Sequence, residues 1–232
     1  MHKKGGIEMT TFSNVKGVLF DLNGIITDSW LYHSKSWRQV AESIGVQWSD
    51  QLEEAIKGRD RIDSLNAILS AGGLEDAYSD QQKEALADKK NAIYQQMLEV
   101  MNPNDILPGI HDFLAELKQN GYKMIIASAS ANAPKEIQKL ELEDYFPLIV
   151  DLNQIKHNKP APDVFLKAAE MIGLSVDQCV GIDDGVVGVE SINAAGIVSI
   201  GVGDPKVLKM ADIHFSSTKD LTLANIRQAW PK

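Results

Sequence analysis

One cysteine, Cys179, is present in 232 residues, so no internal disulfide can form, and a reducing cytoplasm is the compartment this fits. Its surroundings, "CVGI", hold no basic neighbour in sequence to favour a thiolate, which points to a packed core thiol rather than a nucleophile. Positive charge is also scarce: 23 Lys and Arg stand against 32 Asp and Glu, a net charge of -9. A nucleic-acid groove needs clustered cations, so this balance argues against one, and any phosphate must be held locally. Long apolar runs are missing as well. The start, "MHKKGGIEMTT", is basic but has no hydrophobic stretch behind it. Neither a secretory signal nor a membrane span is expected there, and residues 1–14 read as a loose extension. No repeat with a period of about 20 to 50 residues is found, and the one biased tract is "ASASANA".

What the chain does contain is an ordinary globular balance, 44% hydrophobic and 24% charged, on a length able to bury a sizeable core. Short β-branched runs recur at "VKGVLFD", "YKMIIAS", "LIVDL", "CVGIDD" and "IVSIGVG", apolar enough for parallel strands buried on both faces. Helical spacing lies between them: Ile110, Phe113, Leu114 and Leu117 before Gly121, then Phe165, Ala168, Ala169 and Ile172 before Gly173. This alternation predicts an α/β fold with a doubly wound parallel sheet, whose ligands bind at the carboxyl ends of the strands. Residues 30–103 break the pattern. "SWRQVAESIG", "SDQLEEAIKG" and "SDQQKEALADKKNAIYQQMLEVM" read as successive amphipathic helices, and "NPNDILPG" as the linker returning from them. The expectation is an all-helical cap domain over 30–103, inserted into a core made of 15–29 and 104–232.

Four strand ends, or the loops that follow them, carry groups suited to chemistry. In "VLFDLNGIITDS", Asp21 and Asn23 are two apart and face one way, where a carboxylate can ligate a hard cation or attack phosphorus. The same "NG" is also a hairpin-turn signal. "IIASAS" delivers Ser128 and Ser130 with Asn132 behind them, suited to phosphate oxygens or to capping a helix. "HNKPAPDVF" aims Lys159 from a loop stiffened by two prolines, although a solvated lysine is the plainer reading. "CVGIDDGVVG" ends on Asp183 and Asp184, two adjacent acids that call for a cation or for donors, while Asp184 is also placed to cap the following helix.

Taken together, in the order Asp, Ser, Lys, Asp-Asp, these motifs make the chain resemble the haloacid dehalogenase-like superfamily from residue 15 to about 217. Through "FDLNGIITDS", "YHSKSW", "IKGRDRIDSL", "DKKN", "ASASAN", "NKPAPD" and "GIDD" it is most similar to the β-phosphoglucomutase family within it. The resemblance implies a Rossmann-like core and Mg2+ as cofactor, held by Asp21, the backbone carbonyl of Asn23, Asp183 and Asp184. Asp183 stands where that family usually has Glu. Asp21 would be the nucleophile that becomes phosphorylated, with Ser128 and Lys159 holding the transferring phosphate. His33, Lys57, Gly58, Arg61, Lys90, Ser130 and Asn132 would bind the sugar phosphate, Arg61 gripping its distal phosphate. Arg59 stands where the family commonly has an aliphatic residue.

The implied reaction interconverts β-glucose 1-phosphate and glucose 6-phosphate through an aspartyl phosphate and glucose 1,6-bisphosphate. The implied partner is a small sugar phosphate; neither a nucleic acid nor a membrane is expected as a partner, and the protein is expected to be a monomer. In that family the position of Asn23 holds an Asp that acts as general acid and base, and an amide cannot exchange that proton. Phosphoryl transfer should then be slower by about 10² to 10⁴ while binding survives. An enzyme substituted to hold an intermediate and a natural relative with weaker activity both fit. A sugar-phosphate phosphatase on the same core, and a disabled phosphosugar-binding protein, are the alternatives.

Overall fold

A computed structural model of the chain describes residues 11–57 and 59–231, so Gly58 and most of the expected extension lie outside the described residues. Among the described residues, five strands, β1 (Gly17–Phe20), β2 (Lys123–Ile126), β3 (Cys179–Asp183), β4 (Val198–Val202) and β5 (Ile213–Phe215), form one sheet in the order β2-β1-β3-β4-β5. Every pairing is parallel. The order reverses direction at β1, which opens a crevice beyond the carboxyl ends of β1 and β3.

Side chains alternate across the sheet. Val18, Phe20, Met124, Ile126, Val180 and Ile182 enter one apolar cluster, packed under α5 (Ile110–Gln119) and α9 (Leu223–Ala229). Leu19, Ile125 and Cys179 face the other way, toward α7 (Asp163–Met171) and Ile192 of α8 (Val186–Ala194). Burial on both faces is why these strands are uniformly apolar. Burial also pushes the Cys179 thiol up to about 12, which makes it inert.

One expected strand is corrected. "LIVDL" contributes a single bridge, Ile149 to Ile126, at the outer edge of β2, because Pro147 precedes it and a 3-10 turn at Leu152–Gln154 follows at once. The fifth strand is instead Ile213–Phe215, too short to show a pattern of its own.

Between β1 and α5 the chain builds four helices: α1 (Trp30–Ser43), α2 (Asp50–Ile56), α3 (Arg61–Ala71) and α4 (Asp80–Leu98). Their starts are chemically marked. Ser49 accepts the Leu52 N–H, Asp60 accepts the Ile62 and Asp63 N–H groups, and Ser79 forms a capping box with Gln82. The helices bury a core of their own around Trp37, Val40, Leu52, Leu65 and Ile68. The two linkers that join them to the sheet pair with each other. Thr27 bridges Ile106, Leu107 N–H donates to the Ile26 carbonyl at 2.8 Å, and the Thr27 hydroxyl donates to the Asp105 carbonyl at 2.8 Å. α6 (Ala133–Lys139), which follows β2, lies against α4, where Lys135 and Lys139 both reach Glu99.

Candidate active site

Because Phe20, Ile126 and Ile182 are in register, the residues after them leave the sheet at one level. Asp21 follows β1, anchored by its N–H to the Ile182 carbonyl at 2.9 Å. Both readings of "DLNG" have a share in the result. Gly24 does turn the chain, at φ +80°, and donates its N–H to the Thr27 carbonyl, but the turn feeds the linker to α1 rather than a hairpin partner. Asp183 ends β3 and accepts the Gly185 N–H at 2.9 Å. The residue capping α8 is Gly185, so Asp184 is free of that task.

Lys159 reaches the same point from the loop before α7. Its Nζ donates to Asp21 Oδ1 at 2.7 Å and to Asp183 Oδ2 at 2.8 Å. With its side chain only 5% exposed, this contact is little screened by solvent. Burial alone would lower the ammonium, but Asp183 and Asp21 outweigh it and hold Lys159 above the usual lysine value.

Asp21, Asp183 and Asp184 each present a carboxylate oxygen within 4.8 Å of the others. One ammonium does not satisfy three acids. Burial, opposed by Lys159 and aided by Asp183, pushes Asp21 up to about 6. Burial followed by repulsion from Asp183 and Asp21 pushes Asp184 up to about 7. A set of oxygen donors short of positive charge suits a hard divalent cation. Space agrees with this: a Cβ on Gly24 would strike the Asp184 carboxylate and one on Gly188 that of Asp183, so both acids are closely cradled.

These groups form the floor of a cleft of about 340 Å³, joined there by Asn23, Ser128 and Ser130. Ser128 Oγ accepts the Ser130 N–H at 3.1 Å, which leaves its own hydroxyl proton available. Trp30, His33, Glu54, Lys57 and Arg59 line the opposite wall. Lys57 leans across to Asp184 at 3.9 Å, and Asp60 accepts a hydrogen bond from Asn158 at 3.1 Å, so the α2–α3 loop touches the floor. Arg61, Lys90 and Asn132 stand off the wall. Arg61 faces Asp88 at 3.4 Å. The Asn132 side chain donates to Asn91 and accepts from Gln95, tying the loop after β2 to α4 rather than capping a helix.

Lys90 shapes His33 from behind. Its Nζ lies 2.7 Å from His33 Nδ1 and 4.5 Å from the Tyr94 ring centre. Burial lowers Lys90 to about 7, and burial plus the Lys90 charge lowers His33 well below the usual histidine value. While Lys90 is protonated, Nδ1 can only accept, so the imidazole proton sits on Nε2. That Nε2 and the Asn23 Oδ1 are both buried without a protein partner. A donor and an acceptor left unpaired beside a cleft are what an incoming oxygen-rich ligand satisfies.

The sequence reading did not single out Glu136, which is fully buried and bonded to Ser29 and Ser130. Its signal was an acid on the same helix face as Ala133 and Leu140, both core positions. Trp30 and Glu54 of the cleft wall were missed as well, since each sits on a helix with no local motif.

Comparison with known proteins places this geometry in context. Residues 15–196 match the model of the haloacid dehalogenase-like hydrolase family. A β-phosphoglucomutase of Bacillus subtilis is 39% identical over 93% of this chain and 96% of its own. A fructose-1-phosphate phosphatase of Escherichia coli is 30% identical over 82% of this chain and 98% of its own. The crystal structure of a β-phosphoglucomutase from Clostridium difficile superposes with a TM-score of 0.90 at 35% identity, covering 93% of this chain and 97% of that one.

Proposed function

The chain belongs to the haloacid dehalogenase-like hydrolase family, a phosphomutase or sugar-phosphate phosphatase by its relatives, and on that premise we propose a magnesium-dependent β-phosphoglucomutase slowed by Asn23. The observation that carries this reading is the two-sided cleft. Asp21, Lys159 and the paired acids stand on one wall, and Lys57 and Arg59 on the other, so a sugar with a phosphate at each end is met at both. Residues 30–103 act as a cap domain over a core of 15–29 and 104–232.

In the proposed reaction, phosphorylated Asp21 passes its phosphoryl group to a hydroxyl of the bound sugar phosphate. The bond from the Asp21 oxygen to phosphorus breaks as a sugar oxygen bonds to phosphorus, and the hydroxyl proton passes to water. The bisphosphate turns over, and Asp21 takes the other phosphoryl group, the freed sugar oxygen taking a proton back from water. Asn23 can neither take nor give that proton, although it keeps the shape of an acid. Ser128 donates its free hydroxyl to the phosphate and Lys159 neutralises it. His33 Nε2–H orients the sugar with Lys90 holding the ring from behind, and Lys57, Arg59 and, once it leaves Asp88, Arg61 provide positive charge for the distal phosphate. The acids Asp21, Asp183 and Asp184, with the Asn23 carbonyl, would hold Mg2+, which screens the negative charge of the phosphate and attacking carboxylate.

A hydrolase reading draws support from the 30% identical E. coli phosphatase. Asn23→Asp, assayed on β-glucose 1-phosphate with magnesium and catalytic bisphosphate, should raise turnover by about 10² to 10⁴. Glucose 6-phosphate as the product supports the mutase, and inorganic phosphate in its place supports the phosphatase. Unchanged turnover in a variant that still binds the bisphosphate removes the missing-acid account.

A further inference from the structure

The loop after β2 and the linker into α1 are more than 100 residues apart, yet one carboxylate joins them. Glu136, in the first turn of α6, is 0% exposed. Its Oε2 accepts the Ser29 hydroxyl at 2.9 Å and its Oε1 accepts the Ser130 hydroxyl at 3.2 Å. Ser29 occupies the N-cap of α1, where a serine oxygen ordinarily accepts a helix N–H, but its side chain caps nothing and turns to Glu136 instead. Ser130 is held from both sides: its oxygen accepts the Asn132 N–H at 3.2 Å while its proton goes to Glu136. Its hydroxyl is therefore not a donor for phosphate. Tyr94 and Lys90 of α4 stand beside the carboxylate, Lys90 as the neighbouring cation that opposes the cost of burial.

A carboxylate removed from water is strongly unfavourable unless it is hydrogen-bonded, and here the bonds go to two segments distant along the chain, the linker into α1 and the loop after β2. We propose that Glu136 is a positioning residue that couples the Ser128–Ser130 loop to the Ser29 linker into the helical segment, so that neither shifts alone. It acts as a tie rod between the floor of the cleft and the linker into α1. The consequence for ligand binding rests on the phosphotransfer reading above; the coupling itself does not.

Amide hydrogen exchange on the ligand-free protein tests the coupling. Glu136→Ala should speed exchange in residues 27–33 and 128–132 together by at least about tenfold, the loss of two hydrogen bonds to a charged group, with β3 and β4 unchanged. Glu136→Gln, whose amide can accept from one serine and donate to the other, should restore slow exchange in both. It also serves if the alanine variant fails to fold. Faster exchange in one segment alone, or in neither, overturns the proposal. A companion measurement follows glucose 6-phosphate binding with magnesium by calorimetry: Ser29→Ala and Ser130→Ala should be non-additive in the wild type and additive once Glu136 is Ala. Additivity in both backgrounds overturns the coupling. If the wild-type protein binds no sugar phosphate, the functional reading fails, and the exchange result still decides the role of Glu136.

Discussion

The two walls of the cleft are built on different terms. On the floor, Asp21, Asp183 and Lys159 are almost inaccessible, joined at 2.7 and 2.8 Å, and carried by strand ends held level by the sheet. On the roof, Lys57 meets Asp184 at 3.9 Å with nearly half its side chain exposed, and Arg61, set back from the cleft, meets Asp88 at 3.4 Å across an equally open surface. The floor is preorganised: its charges sit in low dielectric with their partners fixed, the condition under which electrostatics act strongly on a reacting phosphoryl group. The roof is adjustable, because its cations are long side chains with weak, screened contacts that a ligand can replace. Fixed chemistry and yielding recognition are what a site needs if one phosphate must be exchanged for another without losing the sugar.

If this contrast is right, damage to the floor should be severe. In an Asn23→Asp background, Asp21→Ala should remove the phosphoenzyme from mass spectra and cut turnover on the order of 10⁴-fold or more, the scale seen when a nucleophile is deleted. An undiminished rate would sink the nucleophile assignment. Lys159→Met leaves Asp21 and Asp183 buried without their cation and should lower unfolding stability by roughly 3–5 kcal/mol in chelator, read from urea denaturation. A loss no greater than that of a surface lysine would show that the floor is not preorganised as described.

Lys90 offers an intermediate test, since it belongs to the roof yet is buried. Its folded value is lowered to about 7, so between there and the ordinary lysine value of 10.5 the unfolded chain binds the extra proton. Stability should therefore rise with pH across that window, and the rise should vanish in Lys90→Met, with the difference between the two proteins as the readout. Beside Lys90 are His33, Glu136 and Arg61, so a Lys90-independent slope would assign the effect to one of them. The smallest effects belong to the open arginines. Arg59→Ala should weaken bisphosphate binding about tenfold by calorimetry, and Arg61→Ala about threefold, because Arg61 must first leave Asp88. The reverse order would mean that the two arginines exchange places when ligand arrives.

Much of the floor was legible in the sequence. Each of its groups ends a buried β-branched run or stands in a loop stiffened by prolines, and parallel strands put such ends at one edge. The helices between β1 and α5 were legible where Ser49 and Ser79 announce a start; α3 begins instead on Asp60, inside a stretch that also supplies Arg59 and Arg61, so chemistry masked the helix signal. "LIVDL" misled because apolar β-branched composition does not show whether a neighbouring strand is present, and at the edge beyond β2 only Ile126 offers one bridge. Glu136 stayed hidden because a single acid in a seven-residue helix looks solvated until its partners are known.

The sequence by itself determined the α/β alternation, the family and the residue types at each strand end, since periodicity and local spacing are written in neighbouring residues. Tertiary structure alone decided that Lys159 bridges two acids, that Arg59 lines the cleft while Arg61 turns to Asp88, and that Glu136 joins Ser29 to Ser130. Those contacts unite segments distant along the chain, and their strength comes from burial, which no local pattern of residues records.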